Sequence, residues 1–374
     1  MATTYNNLYL DIRQRLRAAG IESATLEARE LVCFGTGKSR EELARSGGLY
    51  ASPELEQRVQ KLVDRHLAGE PVAYLIGEWE FYGLPLDISP DVLIPRPDTE
   101  VLVEEAVKYL QEQEECRVLD LCSGSGCIGL ALASQVSRVR VVLGEYSDAA
   151  LKICRQNIRR NGLSARVVSV QADARERPGR TLGEFQCIIS NPPYIPRGDI
   201  AGLDASVRDY EPHLALDGGE DGLDLVRKIV AGYEHFLNPS GKAYMVLECI
   251  GNEAGPYIVD CMKSILKSGV INVSLINRQQ IEFQADASAK IAIEIYEDPQ
   301  NYDRYYNAWM EMFHKTQAVY IYPVVIEYIN NGHPLKINII KNYNKWSLDS
   351  EFETVPNLDI KKREQEYYEA DVDA

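Results

Sequence analysis

Apolar residues recur at helical spacing through the first seventy residues of the chain. Leu8, Ile12 and Leu16 lie four positions apart, so a helix would carry them on one face. Ser52 and Pro53 have the form of a helix start, because serine caps free backbone N–H groups and proline fits the first helical position. This pattern predicts a small helical domain over residues 1–72.

The pattern changes to alternation between Trp79 and Ile94, with turn residues at Gly83 and Pro85. Alternation is typical of strands, and turn residues between two alternating runs favour a hairpin. We therefore predict a β-hairpin linker over residues 73–98.

Strand-like and helix-like patterns then follow one another through residues 99–297. The predicted strands are 118–121, 139–144, 167–170, 185–190, 243–249, 271–276 and 290–296, and the predicted helices are 126–134, 148–161, 223–237 and 253–266. Repeated alternation predicts an α/β fold with a parallel, doubly wound sheet, because each helix returns the chain to the starting edge of the sheet.

The composition changes beyond about Glu297. Residues 1–294 hold 23 Arg and 9 Lys, whereas residues 295–374 hold 2 Arg, 6 Lys and 10 of the 22 tyrosines. Two runs rich in Val, Ile and Tyr, at 318–329 and 335–340, flank an Asn–Gly turn and predict a hairpin. A helix is predicted at 302–313, so residues 298–374 are interpreted as an additional α+β segment.

Charge and cysteine content narrow the possible functions. The 374-residue chain has a formal net charge of −16, which argues against general binding to a phosphate backbone, so nucleic acid is not expected as a direct substrate. The sequence contains no apolar run long enough to cross a membrane and no secretory pattern near Met1, so a cytoplasmic location is expected. Eight scattered cysteines without Cys-x-x-Cys spacing predict reduced core thiols and no metal site.

A glycine-rich turn follows the first predicted strand of the α/β region. Gly124 and Gly126 let the backbone approach a cofactor closely, and Cys122 and Ser123 complete the turn after Asp120. A carboxylate here would repel a pyrophosphate and attract a cation, which favours a cationic cofactor over a dinucleotide. An ordinary tight turn between a strand and a helix is the structural alternative.

Residues farther along the chain are candidates for binding an adenosine. Glu145 ends the second predicted strand, 25 residues after Asp120, where a carboxylate that binds ribose hydroxyls is expected. Tyr146 is a candidate for the adenine slot and Asp173 for the adenine amino group, with plain packing as the alternative for Tyr146. S-adenosylmethionine, with its ammonium and sulfonium charges, is the cofactor predicted.

Asn191, Pro192, Pro193 and Tyr194 follow directly on another predicted strand. The Asn191 side-chain oxygen and the Pro192 carbonyl are two acceptors that can hold both N–H bonds of a planar amide or amino group. The prolines stiffen the loop, and Tyr194 offers a flat wall. Because methyl transfer requires alignment and no covalent nucleophile, the loop predicts methylation of a planar nitrogen. A proline-rich loop without a catalytic role is the alternative.

Residues 1 to about 255 resemble the HemK/PrmC family, bacterial methyltransferases that modify the glutamine of the Gly-Gly-Gln motif in peptide chain release factors. The matching segments are EPVAYLIG (70–77), VLIPRPDTE (92–100), the cofactor turn (118–126), SNPPYIP (190–196) and VRDYEP (207–212). The resemblance implies a Rossmann-like, seven-stranded class I methyltransferase sheet, an N-terminal domain that helps to dock the release factor, and Asn191 and Pro192 as the grip on its amide. It also places Arg96 and Pro97 at the border of the active site.

The chain departs from this family in several places. Cys122 and Ser123 stand where the family usually has glycine and threonine, and Glu145 where it usually has aspartate. Residues 277–289 form a longer connection than the family has, and residues 298–374 extend beyond the resemblance. We interpret this last segment as an appendage that leaves the chemistry intact and contacts an unknown partner; the alternative is an appendage that disables it.

Three functions are weighed. The first is methylation of a release factor glutamine, and the second is methylation of an adenine or of another protein glutamine. The third is a catalytically silent binding protein that uses the methyltransferase core as a scaffold. The acidic charge counts against adenine in duplex DNA, where the base must be flipped out of the stack. The presence of Asp120, Glu145 and Asn191 counts against the silent scaffold.

Overall fold

The computed structural model of the chain describes residues 3–21, 23–114, 116–176, 182–250, 265–266, 268–276, 321–334 and 336–342. The predicted strand at 290–296, the predicted helix at 302–313 and nearly all of the predicted helix at 253–266 lie outside these residues. The chain divides into two compact units, Met1–Val273 with Pro323–Ile339, and Ser274–Tyr322 with Ile340–Ala374. The predicted domain boundaries near residues 72, 98 and 297 stay predictions.

Helices build the first seventy-six residues, as the periodicity predicts. They are α1 (Tyr5–Ala18), α2 (Ala24–Thr36), α3 (Arg40–Ser46), α4 (Pro53–Leu67) and α5 (Val72–Ile76). Ser52 caps α4 by accepting a hydrogen bond from the Leu55 N–H, and Pro53 occupies the first helical position. Leu8, Ile12 and Leu16 are buried in one apolar cluster with residues of the other helices. The predicted helical region is confirmed.

A short hairpin connects these helices to the rest of the unit. Strands β1 (Glu78–Phe81) and β2 (Leu84–Asp87) pair antiparallel. Tyr82 and Gly83 form the turn with φ of 52° and 75°, the signs that a two-residue turn needs to match the twist of the strands. The predicted hairpin is confirmed, although its strands stop at Asp87 because residues 88–96 pass to the next helix as loop.

A central sheet with crossover helices follows. Its strands are β3 (Cys116–Leu121), β4 (Val139–Glu145), β5 (Val167–Gln171), β6 (Phe185–Ser190), β7 (Leu237–Ile250), β8 (Ser268–Ile276), β9 (Ile321–Pro334) and β10 (Lys336–Asn342). Its helices are α6 (Pro97–Gln111), α7 (Cys127–Gln135), α8 (Asp148–Arg160), α9 (Ala205–Arg208) and α10 (Asp224–Phe236). The pairs β3·β4, β3·β6, β4·β5 and β6·β7 are all parallel. The predicted α/β fold is confirmed.

The far edge of the sheet differs from the prediction. The strand order is β10-β8-β9-β7-β6-β3-β4-β5, so the described residues contribute eight strands rather than seven. Strands β9 and β10 both form, but β8 lies between them, so the predicted hairpin is wrong. An Asn–Gly turn is a local signal, whereas strand neighbours are decided by backbone pairing with residues far away in the sequence, and here that pairing prevails.

Two absences concern the described residues. Within them, no helix is both long and apolar enough to cross a bilayer. The same part of the chain holds no group of three or more His, Cys, Asp and Glu side chains with the geometry to bind a metal ion.

Candidate functional site

The parallel pairing of β3 with β6 brings the two sequence motifs to the same end of the sheet. The register ends with Leu121 opposite Ser190, so the glycine-rich turn and the loop that starts at Asn191 leave neighbouring strands side by side. The Ser190 hydroxyl donates to the Leu121 carbonyl at 2.8 Å. This bond ties the two strand ends together, and carboxyl ends of parallel strands are where ligands bind in such folds.

The glycine-rich turn has the backbone geometry that its sequence predicts. Cys122, Gly124 and Gly126 all have positive φ, at 59°, 53° and 83°. A β-carbon on Gly126 would come within 3.0 Å of Leu143, and its N–H donates to the Ser123 carbonyl at 2.7 Å. Gly126 is therefore favoured by its conformation, since only glycine adopts this region without strain, and a larger residue would also press on Leu143.

Asp120 lies fully buried beneath the turn. Its Oδ2 accepts the Gly129 N–H of α7 at 2.9 Å, whereas its Oδ1 has no hydrogen-bond partner among the described residues. The pKa of this carboxyl is raised to about 8, chiefly by burial; the Gly129 bond opposes the rise and the negative charge of Glu145 adds to it. A buried oxygen without a partner is costly unless a ligand satisfies it.

This arrangement fits a cofactor that carries positive charge. Asp120 Oδ1 is an acceptor in a low-dielectric place where a cation would be strongly favoured. The hydroxyls of Ser123 and Ser125 are also buried, next to the thiols of Cys154 and Cys127, which are weak partners. A β-carbon on Gly124 would meet nothing within 4 Å, so the turn is open on that side.

Glu145, the predicted ribose ligand, is already bonded to backbone. One carboxylate oxygen accepts the Gly124 N–H at 2.8 Å and the other accepts the Ser147 N–H at 2.8 Å. Each oxygen has a second lone pair available for a hydroxyl, so these bonds orient the carboxylate and leave ribose binding possible. The carboxylate also links the turn after β3 to the start of α8.

Tyr146 and Asp173, the two residues predicted to bind the adenine, both contact a third residue, Arg175. The Asp173 carboxylate receives a bidentate pair from Arg175, with distances of 2.7 to 3.1 Å. The Arg175 guanidinium lies 4.9 Å from the centre of the Tyr146 ring, and Tyr146 is 47% exposed. An adenine that used this ring face would have to displace Arg175, a residue that the sequence analysis did not single out.

Asn191 makes a contact that the sequence did not predict. Its side-chain nitrogen donates to the hydroxyl of Thr99 at 3.3 Å, and Thr99 is buried in the first turn of α6. The amide oxygen lies at the other end of the same planar group. Pro192, which follows, is buried, and Pro193 and Tyr194 are half-buried.

A second glycine-rich loop, residues 216–222, braces the Asn191 loop through backbone hydrogen bonds. The Ile195 N–H donates to the Leu216 carbonyl at 3.1 Å, and the Gly218 N–H donates to the Ile195 carbonyl at 2.9 Å. A β-carbon on Gly222, where φ is +79°, would lie 2.3 Å from the Tyr194 carbonyl oxygen. The sequence shows this loop as rich in Asp and Gly, but its role as a brace depends on contacts that only the fold reveals.

Arg96 and Pro97 lie at the start of α6. The Arg96 guanidinium pairs with the Glu211 carboxylate, whose second oxygen accepts the Ile94 N–H at 3.2 Å. Glu211 is 5% exposed and Arg96 is half-buried, so a partly buried ion pair joins the 92–100 segment to the 207–212 segment. Pro97 occupies the first helical turn, as its fixed φ favours.

Comparisons with known proteins match both the helical region and the α/β region of the chain. Two family models match, the PrmC N-terminal domain over residues 7–77 and the methyltransferase small domain over residues 98–205. The release factor glutamine methyltransferase of Moorella thermoacetica is 39% identical over 252 residues, 67% of this chain and 87% of that protein. The enzyme of the same name from Geobacter sulfurreducens is 42% identical over 229 residues, 61% of this chain and 78% of that protein.

Solved structures are more distant. A methyltransferase from Pyrococcus furiosus is matched with a TM-score of 0.42 at 15% identity, over 71% of this chain and 96% of that chain. A similarity of this size has no bearing on substrate or mechanism.

Proposed function

Because the chain belongs to the release factor glutamine methyltransferase family, we propose that it transfers a methyl group from S-adenosylmethionine to a glutamine side-chain amide in a peptide chain release factor. The Gly-Gly-Gln glutamine is the substrate that the family resemblance implies. The reaction takes place where release factors work, in the cytoplasm.

One observation carries this proposal within the structure. The pairing of Leu121 with Ser190 sets the turn that suits a cationic cofactor beside the loop that suits a planar amide. Methyl transfer is an in-line displacement, so the acceptor nitrogen and the donor methyl must be held close together with their orbitals aligned. Two sites on adjacent strand ends supply that proximity.

The residues of the chain divide the work between binding and alignment. When bound, S-adenosylmethionine supplies an electrophilic methyl group on a positively charged sulfur. Asp120 and Glu145 hold its cationic and ribose portions, and Tyr146 and Asp173 are assigned to its adenine. The glycines at 124 and 126 keep the backbone close, and Cys122 and Ser123 line the turn.

The amide of the substrate is held by the Asn191 loop. Its two N–H groups donate to the Asn191 Oδ1 and to the Pro192 carbonyl, which fixes the amide plane so that the nitrogen lone pair faces the methyl group. Pro193 stiffens the loop, Tyr194 covers the planar face of the amide, and Arg96 and Pro97 border the opening. The two acceptor oxygens stabilise the positive charge that develops on the nitrogen as it takes the methyl group from the sulfonium, which is left as a neutral thioether. The nitrogen then loses one of its two protons to water, which leaves a neutral N-methyl amide.

The test uses the full chain with labelled S-adenosylmethionine and three acceptors: a release factor, its Gly-Gly-Gln Gln→Ala variant, and an adenine-containing oligonucleotide. Label on the wild-type release factor alone is the expected result. Label on the oligonucleotide would instead identify an adenine base as the substrate. Absence of label together with absence of cofactor binding would favour the silent scaffold.

Cofactor affinity is expected to rise with pH up to about 8. The Asp120 carboxyl has its pKa raised to about 8 by burial, so below that pH it is largely protonated in the free protein. A cationic ligand favours the ionised form, so binding releases a proton and affinity increases by up to about tenfold per pH unit below the pKa.

Calorimetric titration of the cofactor between pH 6 and 9 measures this dependence. Asp120→Asn is the matched control, because it keeps an oxygen for the Gly129 N–H and cannot titrate; the ligand's own ionisation affects both proteins equally. Identical pH profiles for wild type and variant would refute the role given to Asp120.

A further inference from the structure

We propose that Thr99 is a positioning residue that holds the Asn191 amide in place by its nitrogen, with the oxygen left for the substrate. This inference rests on the proposed function, in which an oxygen of Asn191 must accept a substrate N–H. Thr99 does not touch the reacting atoms. It acts by holding the Asn191 nitrogen.

The side chain of Asn191 has a donor end and an acceptor end of nearly the same shape. Rotation by half a turn exchanges them, and a loop that merely accommodates the amide would not distinguish the two orientations. With the NH2 group toward the substrate, two donors would face each other and the grip would fail. A hydroxyl can accept from the amide NH2 or donate to the amide oxygen, so the N–H groups of the substrate select the orientation with the oxygen toward them. The hydrogen bond from Asn191 Nδ2 to the Thr99 hydroxyl at 3.3 Å then holds the side chain in that orientation.

Thr99 is suited to this task by its burial. It is 2% exposed, so water does not replace the hydroxyl as a partner for the Asn191 nitrogen, and an amide nitrogen without a partner there would be costly. Its own N–H donates at 3.1 Å to the carbonyl of Arg96, the residue directly before α6.

The first turn of α6 is itself anchored on both sides of Thr99. Arg96 pairs with the buried Glu211, and Glu100 accepts the Tyr82 N–H of the hairpin turn at 3.1 Å. The hydroxyl is therefore presented from a fixed helix start. Thr99 and Asn191 are 92 residues apart in the sequence. Their hydrogen bond gives a physical reason for the 94–100 segment to lie beside the Asn191 loop.

The experiment compares Thr99→Val with Thr99→Ser. Valine keeps the shape and removes the hydroxyl, so kcat for methyl transfer is expected to fall about tenfold, the effect of losing one neutral hydrogen bond. The dissociation constant of S-adenosylmethionine is expected to stay within about twofold, because Asp120 and Glu145 are untouched. Serine restores the hydroxyl and is expected to recover most of the rate.

A double variant separates positioning from general stabilisation. If Thr99 works only through Asn191, adding Thr99→Val to Asn191→Ala produces no further loss of kcat, whereas independent effects would multiply. Thermal unfolding of each variant shows whether it is folded at the assay temperature. Wild-type turnover in Thr99→Val, or multiplied losses in the double variant, would overturn the inference; absence of transfer by the wild type would instead overturn the proposed function.

Discussion

Methyl transfer by the Asn191→Ala variant is expected to be slower than wild type by about a hundredfold or more, with cofactor affinity nearly unchanged. The magnitude is that of removing one hydrogen-bonding group whose contact strengthens in the transition state. Asn191 leaves β6 directly after Ser190, and its amide nitrogen is held by Thr99. Alanine removes the oxygen that accepts a substrate N–H and leaves Asp120 and the glycine turn intact.

Single-turnover rates and cofactor titrations of the same preparation measure the two quantities separately. Asn161→Ala is a suitable control, because the Asn161 amide bonds the Pro85 carbonyl of the hairpin at 3.0 Å and lies outside the site. A large loss of cofactor affinity in Asn191→Ala, or a wild-type rate, would contradict the role proposed for Asn191.

The second large effect is expected at Gly222, which touches neither cofactor nor substrate. A β-carbon there would lie 2.3 Å from the Tyr194 carbonyl oxygen, at a φ of +79°. Either the Gly222 loop or the loop that carries Pro192 and Tyr194 must shift, and because the Gly218 N–H bonds the Ile195 carbonyl, a shift of one loop displaces the other. Gly222→Ala is expected to reduce kcat by about a hundredfold, since a displacement of about 1 Å in a catalytic loop has that consequence.

Gly198→Ala tests whether the effect is local. Gly198 lies in the same stretch of chain, four residues beyond Tyr194, and a β-carbon on it would meet nothing within 4 Å. Turnover close to wild type is expected for this variant, with unchanged cofactor affinity in both. Full activity of Gly222→Ala would mean that the brace does not set the loop geometry.

Much of the fold could be predicted because its signals are local. The four-residue spacing of Leu8, Ile12 and Leu16, and the alternation of strand and helix patterns after residue 99, each depend on neighbours a few positions away. Strand β6 has the predicted limits, and β3, β4 and β5 differ by one or two residues at an end. The hairpin predicted after residue 318 is wrong, because the order of strands in a sheet depends on pairing between residues that are far apart in the sequence.

The kinds of residue in the candidate site could be predicted from the sequence, but several of its contacts could not. Asp120, Gly124 and Asn191 stand out because they lie at or just beyond the carboxyl ends of strands, where ligands bind. Thr99 and Glu211 do not stand out, although each belongs to a segment shared with the family. The partners of Thr99 and Glu211, Asn191 and Arg96, are 92 and 115 residues distant, and no periodicity or spacing predicts such pairs.

The sequence by itself determined the elements, the order in which they occur, and the kinds of chemical group that each strand end carries. Only the tertiary structure decided which of those groups meet, that Glu145 bonds the turn at Gly124, and which residue holds the Asn191 amide. The reason is physical. Backbone conformation responds to adjacent residues, whereas the orientation of a buried polar side chain is set by whichever partner the packing of distant segments places within hydrogen-bond distance.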